Sequence, residues 1–211
     1  VLWSIEGETL RLVATDSYRL AIREVTLKEG GGERKAIIPS RALAEFSRHL
    51  AGSNDTTAEI WLGETQAAFT AGKVRLVTRL IEGEFPNWRH LVPEGYESTL
   101  VVEREGFQRA VERVGLVARA NTPVRFHLAQ EVQLTATESG VADASEIVEE
   151  AVYNGKDMVV AFNPRFFIDG LEGLESEKAE LQLIDPAKPA IIRAAGAEEY
   201  TYLLMPVRLP N

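Results

Sequence analysis

The feature that most constrains the fold of this chain is an internal repeat with a period of about 122 residues. Three short segments recur in the same order, and each pair is separated by nearly the same distance. The pairs are RLVATD at 11–16 with QLTATE at 133–138, AIIPSRALAEF at 36–46 with VAFNPRFFIDG at 160–170, and AEIWL at 58–62 with AELQL at 179–183. Three matches in register predict a duplicated structural unit.

Each copy of the repeat is predicted to contain alternating strands, a short strand that leads into a helix, and three closing strands, so the expected fold class is α+β. Apolar and polar residues alternate in LRLVAT at 10–15 and YRLAIREV at 18–25, which predicts strands with one buried face. A short strand then leads into a helix, expected at 41–51 in the first copy and at 164–175 in the second. The strands that close the copies are predicted in AEIWLG, AAFTAG and VRLVTRL, and in AELQLID, AIIRAAG and YTYLLMPVRL.

A capping residue and an apolar stripe predict the helix in each copy. Ser40 and Asn163 are the predicted N-caps, and Pro164 occupies the first helical position, where its missing N–H is not needed. The residues expected to face the core are Leu43, Phe46 and Leu50 in the first copy, and Phe167, Leu171 and Leu174 in the second.

A third helix is predicted at 103–119, between the two copies, because Phe107, Val111, Val114 and Ala118 follow helical spacing. No equivalent segment precedes the first copy. We therefore expect a complete domain at 96–211 and half of a similar domain at 1–95, joined by a linker near 92–99. The missing half and the absence of an initiator Met predict a piece of a longer chain.

The sequence contains no recognisable catalytic motif, which favours a non-enzymatic module. Cysteine is absent, the three histidines are far apart, and neither a metalloprotease, a serine hydrolase nor a phosphate-loop pattern occurs. No apolar run is long enough to span a membrane, and the lack of cysteine favours a cytosolic protein. The net charge of −9 opposes nucleic-acid binding, although net charge does not locate the charges.

Four motifs in a fixed order carry a resemblance to a known family. LVATDSYRLA at 12–21, FPNWRHL at 85–91, FNPRFF at 162–167 and YLLMPVRL at 202–209 together resemble the bacterial DNA polymerase III beta subunit, the sliding clamp. The resemblance implies a DNA clamp fold of repeated β-α-β-β-β units, with helices lining a channel and antiparallel sheets outside. The chain would cover the second half of the middle domain and the whole third domain of a head-to-tail ring-shaped dimer.

The resemblance also implies a hydrophobic pocket between the second and third domains that binds short linear peptides. Tyr18 and Ser17 stand at positions where family members vary, and His90 replaces a frequent arginine. The pocket residues implied by position are Thr15, Ser17, Tyr18, Arg19, Leu20, Pro86, His90, Leu91, Asn163, Phe166, Ala187, Pro189, Leu203, Met205, Pro206, Val207, Arg208 and Leu209. Strand alternation predicts that Leu204 points inward, and Asp16 is interpreted as a turn former that is assigned no contact in the pocket.

Duplex DNA is the second implied partner, bound weakly and without sequence preference. The residues expected to face the channel are Arg41, Arg48, Arg109, Arg113, Arg119 and Arg165, with Arg125 as a further candidate. Glu45, Glu105 and Glu112 dilute this positive charge, so the expected field is modest.

The function implied by the resemblance is a non-catalytic, cytoplasmic processivity factor, nucleoid-associated during replication, without cofactor or metal. Its expected partners are the DNA polymerase III alpha subunit, the clamp loader, and other polymerases and repair proteins. Two alternatives remain open at this point. One is an enzyme on a duplicated α+β scaffold with a small-molecule site in the interdomain groove, and the other is a structural oligomer.

Overall fold

A computed structural model describes residues 1–27, 32–118, 122–138 and 140–209. The regular structure in these residues consists of antiparallel strands, three α-helices and one short 3-10 helix. These residues divide into two compact units. Unit 1 contains Val1–Ala14 and Arg23–Asn87, and unit 2 contains Thr15–Ile22 and Trp88–Asn211. Arg119, one of the arginines expected to face DNA, lies outside the described residues.

Unit 1 holds the first copy of the repeat. Its strands follow the orders β3-β2-β1-β4 and β5-β6-β7, and β3 starts in unit 2 and ends in unit 1. The elements are β1 (Leu2–Glu6), β2 (Thr9–Thr15), β3 (Arg19–Thr26), β4 (Glu33–Ile37), α1 (Ser40–Ala51), β5 (Glu59–Leu62), β6 (Gln66–Ala71) and β7 (Val74–Arg79).

Unit 2 holds the second copy together with the third helix. The elements are a 3-10 helix (Trp88–Leu91), β8 (Ser98–Glu103), α2 (Arg104–Gly115), β9 (Val124–Leu128), β10 (Gln133–Glu138), β11 (Ala142–Ile147), β12 (Val152–Asn154), β13 (Met158–Phe162), α3 (Pro164–Glu172), β14 (Lys178–Leu183), β15 (Ala190–Ala194) and β16 (Tyr200–Leu204). The strand orders are β11-β10-β9-β13 and β12-β8-β14-β15-β16, and the start of β3 follows β16.

The strand orders confirm the predicted α+β class and the duplication. In unit 1 the strand before the helix, β4, pairs antiparallel with β1, and in unit 2 the equivalent β13 pairs antiparallel with β9. The three strands after each helix also pair in sequence order, as β5-β6-β7 and as β14-β15-β16. In unit 2, β8 adds a further antiparallel strand beside β14, from Lys178 opposite Glu103 to Leu183 opposite Ser98.

Each unit has its own hydrophobic core. In unit 2, Phe167 of α3 lies at the centre of an aromatic cluster, 4.7 Å from the ring of Phe126 and 5.6 Å from the ring of Phe107. Phe167, Leu171 and Leu174 are buried as predicted, but α3 ends at Glu172 and not at 175, so Leu174 lies just beyond the helix. Phe46 of α1 packs in the same way into the separate core of unit 1.

The predicted N-caps have different outcomes. Asn163 caps α3, since its side-chain oxygen accepts hydrogen bonds from the N–H groups of Arg165 (3.0 Å) and Phe166 (3.4 Å). The prediction for Ser40 is wrong, because α1 begins at Ser40 and Pro39 occupies the cap position without a side-chain hydrogen bond. Ser40 is already helical, so its hydroxyl is not placed to reach the free N–H groups of the first turn.

The helix between the copies is shorter than the predicted 103–119. It begins at Arg104 and ends at Gly115, and Glu103 is its N-cap. The Glu103 carboxylate accepts hydrogen bonds from the N–H groups of Gly106 and Glu105. These two bonds hold the pKa of Glu103 below its ordinary value of 4.5, because they stabilise the charged form.

We predict that Glu103→Ala lowers the free energy of unfolding by about 1 kcal/mol at pH 7 through the loss of this cap. Because the pKa of Glu103 is lowered in the folded state, its charge contributes fully above pH 4.5 and less as the pH falls through the folded pKa. Urea denaturation at neutral and acid pH should therefore show a difference that shrinks in acid. Glu131→Ala, at an exposed position, is the control, and an equal loss in both variants contradicts the cap assignment.

Candidate functional site

The connection between β2 and β3 is a tight turn that presents Tyr18. The Asp16 side-chain oxygen accepts hydrogen bonds from the N–H groups of Tyr18 and Arg19, both at 3.2 Å, and the Thr15 hydroxyl donates to the Arg19 carbonyl at 2.8 Å. Ser17 closes the turn with a positive φ of 73°. Tyr18 is 63% exposed as a result, although its backbone is fixed.

The C-terminal segment lies directly beside this turn. The Met205 N–H donates a hydrogen bond of 2.9 Å to the Tyr18 carbonyl, and the Val207 N–H donates one of 2.8 Å to the Ala161 carbonyl. Leu204 is fully buried in the core of unit 2, as alternation predicts, whereas Met205 is 40% exposed.

The last strand is shorter than the sequence predicts. It was expected to continue to 209, but β16 ends at Leu204. Pro206 has no N–H, so it cannot contribute to a regular ladder of hydrogen bonds. The residues from Met205 onward instead run as an irregular segment, held by isolated backbone bonds.

Helix α3 supplies the third side of the surface. The rings of Tyr18 and Phe166 are 6.1 Å apart between centroids, with planes tilted by 33°. The cap at Asn163 fixes the first turn of α3, which carries Phe166. Tyr18, Phe166 and Met205 therefore form what we name the aromatic surface, an accessible apolar area assembled from a turn, a helix and the chain terminus.

Arg19 connects these three parts. Its guanidinium lies 4.2 Å from the centroid of the Phe166 ring, and its Nε donates to Asp16 at 2.8 Å. One Nη forms an ion pair with Asp169 of α3 and also lies 3.4 Å from the Tyr202 hydroxyl. The bonds that Asp16 accepts from the Tyr18 and Arg19 N–H groups agree with its interpretation as a turn former, and its carboxylate in addition pairs with Arg19.

The charges in this cluster reinforce one another. Partial burial lowers the pKa of Arg19, but hydrogen bonds to Asp169, Asp16 and Tyr202 outweigh that effect and leave the pKa raised. Burial raises the pKa of Asp16, but the bonds from Arg19 and from the Tyr18 N–H outweigh it and leave that pKa lowered. The Arg19–Asp16 pair therefore stays ionised around neutral pH, and Arg19 keeps its positive charge.

The other residues implied for the pocket are more scattered. Leu20 and Leu203 are buried, whereas His90 and Leu91 are exposed on the 3-10 helix. Pro86 belongs to unit 1. The remaining implied residues in unit 2 are Ala187 and Pro189, in the connection between β14 and β15, and Pro206, Arg208 and Leu209, in the terminal segment.

The arginines expected to face DNA fall into two groups. Arg48 pairs with Glu45 and Arg109 pairs with Glu105, the latter at 3.6 Å, so neighbouring carboxylates partly neutralise them. Arg41 and Arg165, near the starts of α1 and α3, are exposed and form no ion pair within the residues that the structure describes. Arg125 lies on β9 and not on a helix.

Arg113 has a different environment from the other helical arginines. Its guanidinium pairs with Glu146 of β11, and both residues line a cavity of about 510 Å³ beside α2. Arg113 is therefore partly neutralised by a strand residue that the sequence did not indicate.

Sequence reasoning missed Asp169 and Tyr202, which complete the surroundings of Arg19. Asp169 follows Phe166 by three residues, so helical spacing places both on one side of α3. That spacing was the only local signal, since their partner Arg19 lies 150 residues away from Asp169 in the sequence.

Two general properties complete the description of the site. No helix in the described ranges is long and apolar enough to cross a membrane. Across those same residues, no group of three or more potential ligand side chains is placed to hold a metal ion.

The comparisons with known proteins agree on one family. The family description "DNA polymerase III beta subunit, C-terminal domain" matches residues 89–208, and "DNA polymerase III beta subunit, central domain" matches residues 1–87. A curated relative is the beta sliding clamp of Streptomyces coelicolor, which is 36% identical over 97% of this chain and 57% of its own length. The beta sliding clamp of Staphylococcus aureus Mu50 is 30% identical over 99% of this chain and 56% of its own length.

Solved structures support the same assignment. The DNA polymerase sliding clamp of Bacillus subtilis superposes with a TM-score of 0.93 at 27% identity, over 100% of this chain and 56% of that one. A DnaN sliding clamp of Pseudomonas aeruginosa bound to griselimycin gives a TM-score of 0.91 at 26% identity, over 99% of this chain and 57% of that one. The chain thus spans little more than half the length of these relatives. Because the two family descriptions together match nearly all of its residues, the chain belongs to the DNA polymerase III beta subunit family.

Proposed function

We propose that this chain is the peptide-docking part of a sliding clamp, a non-catalytic processivity factor that encircles duplex DNA and holds its partner proteins. The observation that carries the proposal is the aromatic surface, which the Met205–Tyr18 backbone bond and the Arg19 cluster assemble from distant parts of the sequence. A relative solved with griselimycin bound adds support, because a member of the family accepts another molecule.

The proposed occupant is a short extended peptide of the type QLxLF. Its apolar side chains would pack against Tyr18, Phe166 and Met205, which are accessible although their backbones are held by hydrogen bonds. Methionine adapts its shape to different partners, and aromatic rings give a large contact area at little cost in conformational entropy. One surface of this kind can serve several competing proteins.

The partners that we propose are those of a replication clamp. They are the DNA polymerase III alpha subunit, the clamp loader, and other polymerases and repair proteins that carry a short linear motif. The full-length protein would act in the cytoplasm, at the replicating nucleoid, as a head-to-tail homodimer. We also propose domain limits of 1–95 and 96–211. The boundary between the compact units lies slightly earlier in the sequence, between Asn87 and Trp88, and Thr15–Ile22 is grouped with the second unit.

Duplex DNA would be bound weakly and without sequence preference. Arg41 and Arg165 are the strongest candidates for phosphate contacts, because they are exposed and form no ion pair within the described part of the chain. Arg48, Arg109 and Arg113 each face a carboxylate, which reduces their attraction for phosphate. A ring closed around DNA needs little affinity, and weak backbone contacts permit sliding.

A labelled QLxLF peptide should bind this chain saturably, in the micromolar range, when its fluorescence anisotropy is measured. We expect Met205→Ala to weaken binding about tenfold, because it removes one side of the aromatic surface. Val152→Ala changes an exposed apolar residue elsewhere in unit 2 and should have no effect. Absence of saturable binding, or equal losses in the two variants, would argue against the proposed docking site.

The two groups of arginines should differ in how much they contribute to the salt dependence of DNA affinity. Arg165→Ala should reduce the slope of log affinity against log salt concentration by about one, because one phosphate contact is lost. Arg113→Ala should change the slope much less, since Arg113 is already paired with Glu146. The measurement uses a short duplex and several base sequences. Equal slopes for Arg165→Ala and the unmodified chain, or marked sequence preference, would contradict this assignment.

A further inference from the structure

We propose that Asp169 is a positioning residue that orients Arg19 against Phe166 and thereby makes the site selective for an aromatic side chain of the docked peptide. This inference rests on the proposed function of the aromatic surface. It concerns a residue that would not itself touch the peptide, because it acts through the guanidinium of Arg19.

The hydrogen bonds of Arg19 leave its guanidinium little freedom. Nε is used by Asp16, and one Nη is used by Asp169 and by the Tyr202 hydroxyl. A guanidinium is planar and its donors are fixed in that plane, so bonds at two of its nitrogens determine how its face is oriented. That face lies 4.2 Å from the centroid of the Phe166 ring, a favourable cation–π arrangement.

The two carboxylates around Arg19 have different roles because they lie on different elements. Asp16 precedes Arg19 by three residues and belongs to the same turn, so this pair stabilises the turn by itself. Asp169 lies on α3, and its ion pair therefore connects the turn to the helix that carries Phe166. Only the second pair fixes the distance between the rings of Tyr18 and Phe166.

Helix α3 is a rigid base for this connection. The Tyr202 hydroxyl donates a hydrogen bond of 2.8 Å to the Phe166 carbonyl, which ties the helix to β16. Gly170 permits the close approach, because a Cβ at this position would lie 2.6 Å from Cδ1 of Tyr202. Asp169 is therefore the carboxylate of α3 that connects this helix to the turn with Tyr18 through Arg19.

The selectivity follows from this geometry. An aromatic side chain of a peptide would contact both the Tyr18 and the Phe166 rings, which are 6.1 Å apart, so its binding depends on their spacing. An aliphatic anchor on Met205 depends on the backbone bond between Met205 and Tyr18 instead. Loss of the Asp169 carboxylate should therefore weaken the aromatic contact more than the aliphatic one.

Stability and selectivity should separate in the experiment. The Asp169 side chain is 51% exposed and the Arg19 side chain is 27% exposed, and ion pairs of this kind contribute little to global stability. Asp169→Asn should therefore leave the melting temperature nearly unchanged. A purely structural role would lower the melting temperature and weaken all peptides alike.

The test compares two peptides, one ending in Phe and one with Ala in its place, by anisotropy with Asp169→Asn. We expect the Phe peptide to lose about fivefold in affinity and the Ala peptide less than twofold, a change of the size given by a partly exposed ion pair. Glu172→Gln, which removes the same charge from an exposed position on α3, is the matched control and should change neither affinity. Asp169→Glu should restore part of the preference for Phe.

A second comparison establishes whether Asp169 acts through Arg19. In chains that already carry Arg19→Met, the further change Asp169→Asn should have no additional effect on either peptide. The inference is overturned if the unmodified chain and Asp169→Asn show the same preference, or if the effect persists without Arg19. If the unmodified chain binds neither peptide, the proposed function fails and the inference fails with it.

Discussion

The structure of the candidate site depends on one cation, Arg19, shared between two carboxylates and an aromatic ring. Asp16 comes from the same turn, Asp169 and Phe166 come from α3, and the Tyr202 hydroxyl of β16 completes the contacts. Because an arginine side chain stays charged, the ion pairs of this cluster persist in the neutral pH range. The cluster connects the turn at Arg19 to Asp169, which lies 150 residues away in the sequence. It thereby helps to hold the rings of Tyr18 and Phe166 beside each other.

The candidate site combines parts of both copies of the repeat, because its turn comes from the first copy and helix α3 and strand β16 come from the second. Both copies place a strand, a helix and three further strands in the same order. In unit 2, the last of these strands, β16, is followed by the start of β3, so the chain that leaves β16 meets the turn at Tyr18. Here Met205 and Val207 are held by backbone hydrogen bonds.

Features determined by local sequence were predictable, and features determined by distant contacts were not. The cap at Asn163 and the burial of Phe167 and Leu171 on α3 follow from local chemistry and helical spacing, and both were predicted correctly. The end of β16 was placed too late because the apolar pattern continues past Pro206, which interrupts the ladder. The ion pair of Asp169 depends on Arg19, a residue brought near by the fold, so no local pattern could indicate it. The family resemblance placed Arg19 and Phe166 in the same implied pocket, but it did not indicate Asp169 or Tyr202, which also contact Arg19.

The most direct test of this account is to locate where a QLxLF peptide binds. The peptide is titrated into the isotopically labelled chain, and the amide chemical shifts of the chain are monitored. We expect the largest changes at Tyr18, Phe166 and Met205, whose backbones frame the aromatic surface. The amides of β11, on another sheet of unit 2, should remain unchanged. Changes centred on α2 and β11, with none around Met205, would contradict the central claim that the meeting of turn, helix and chain terminus forms the docking site.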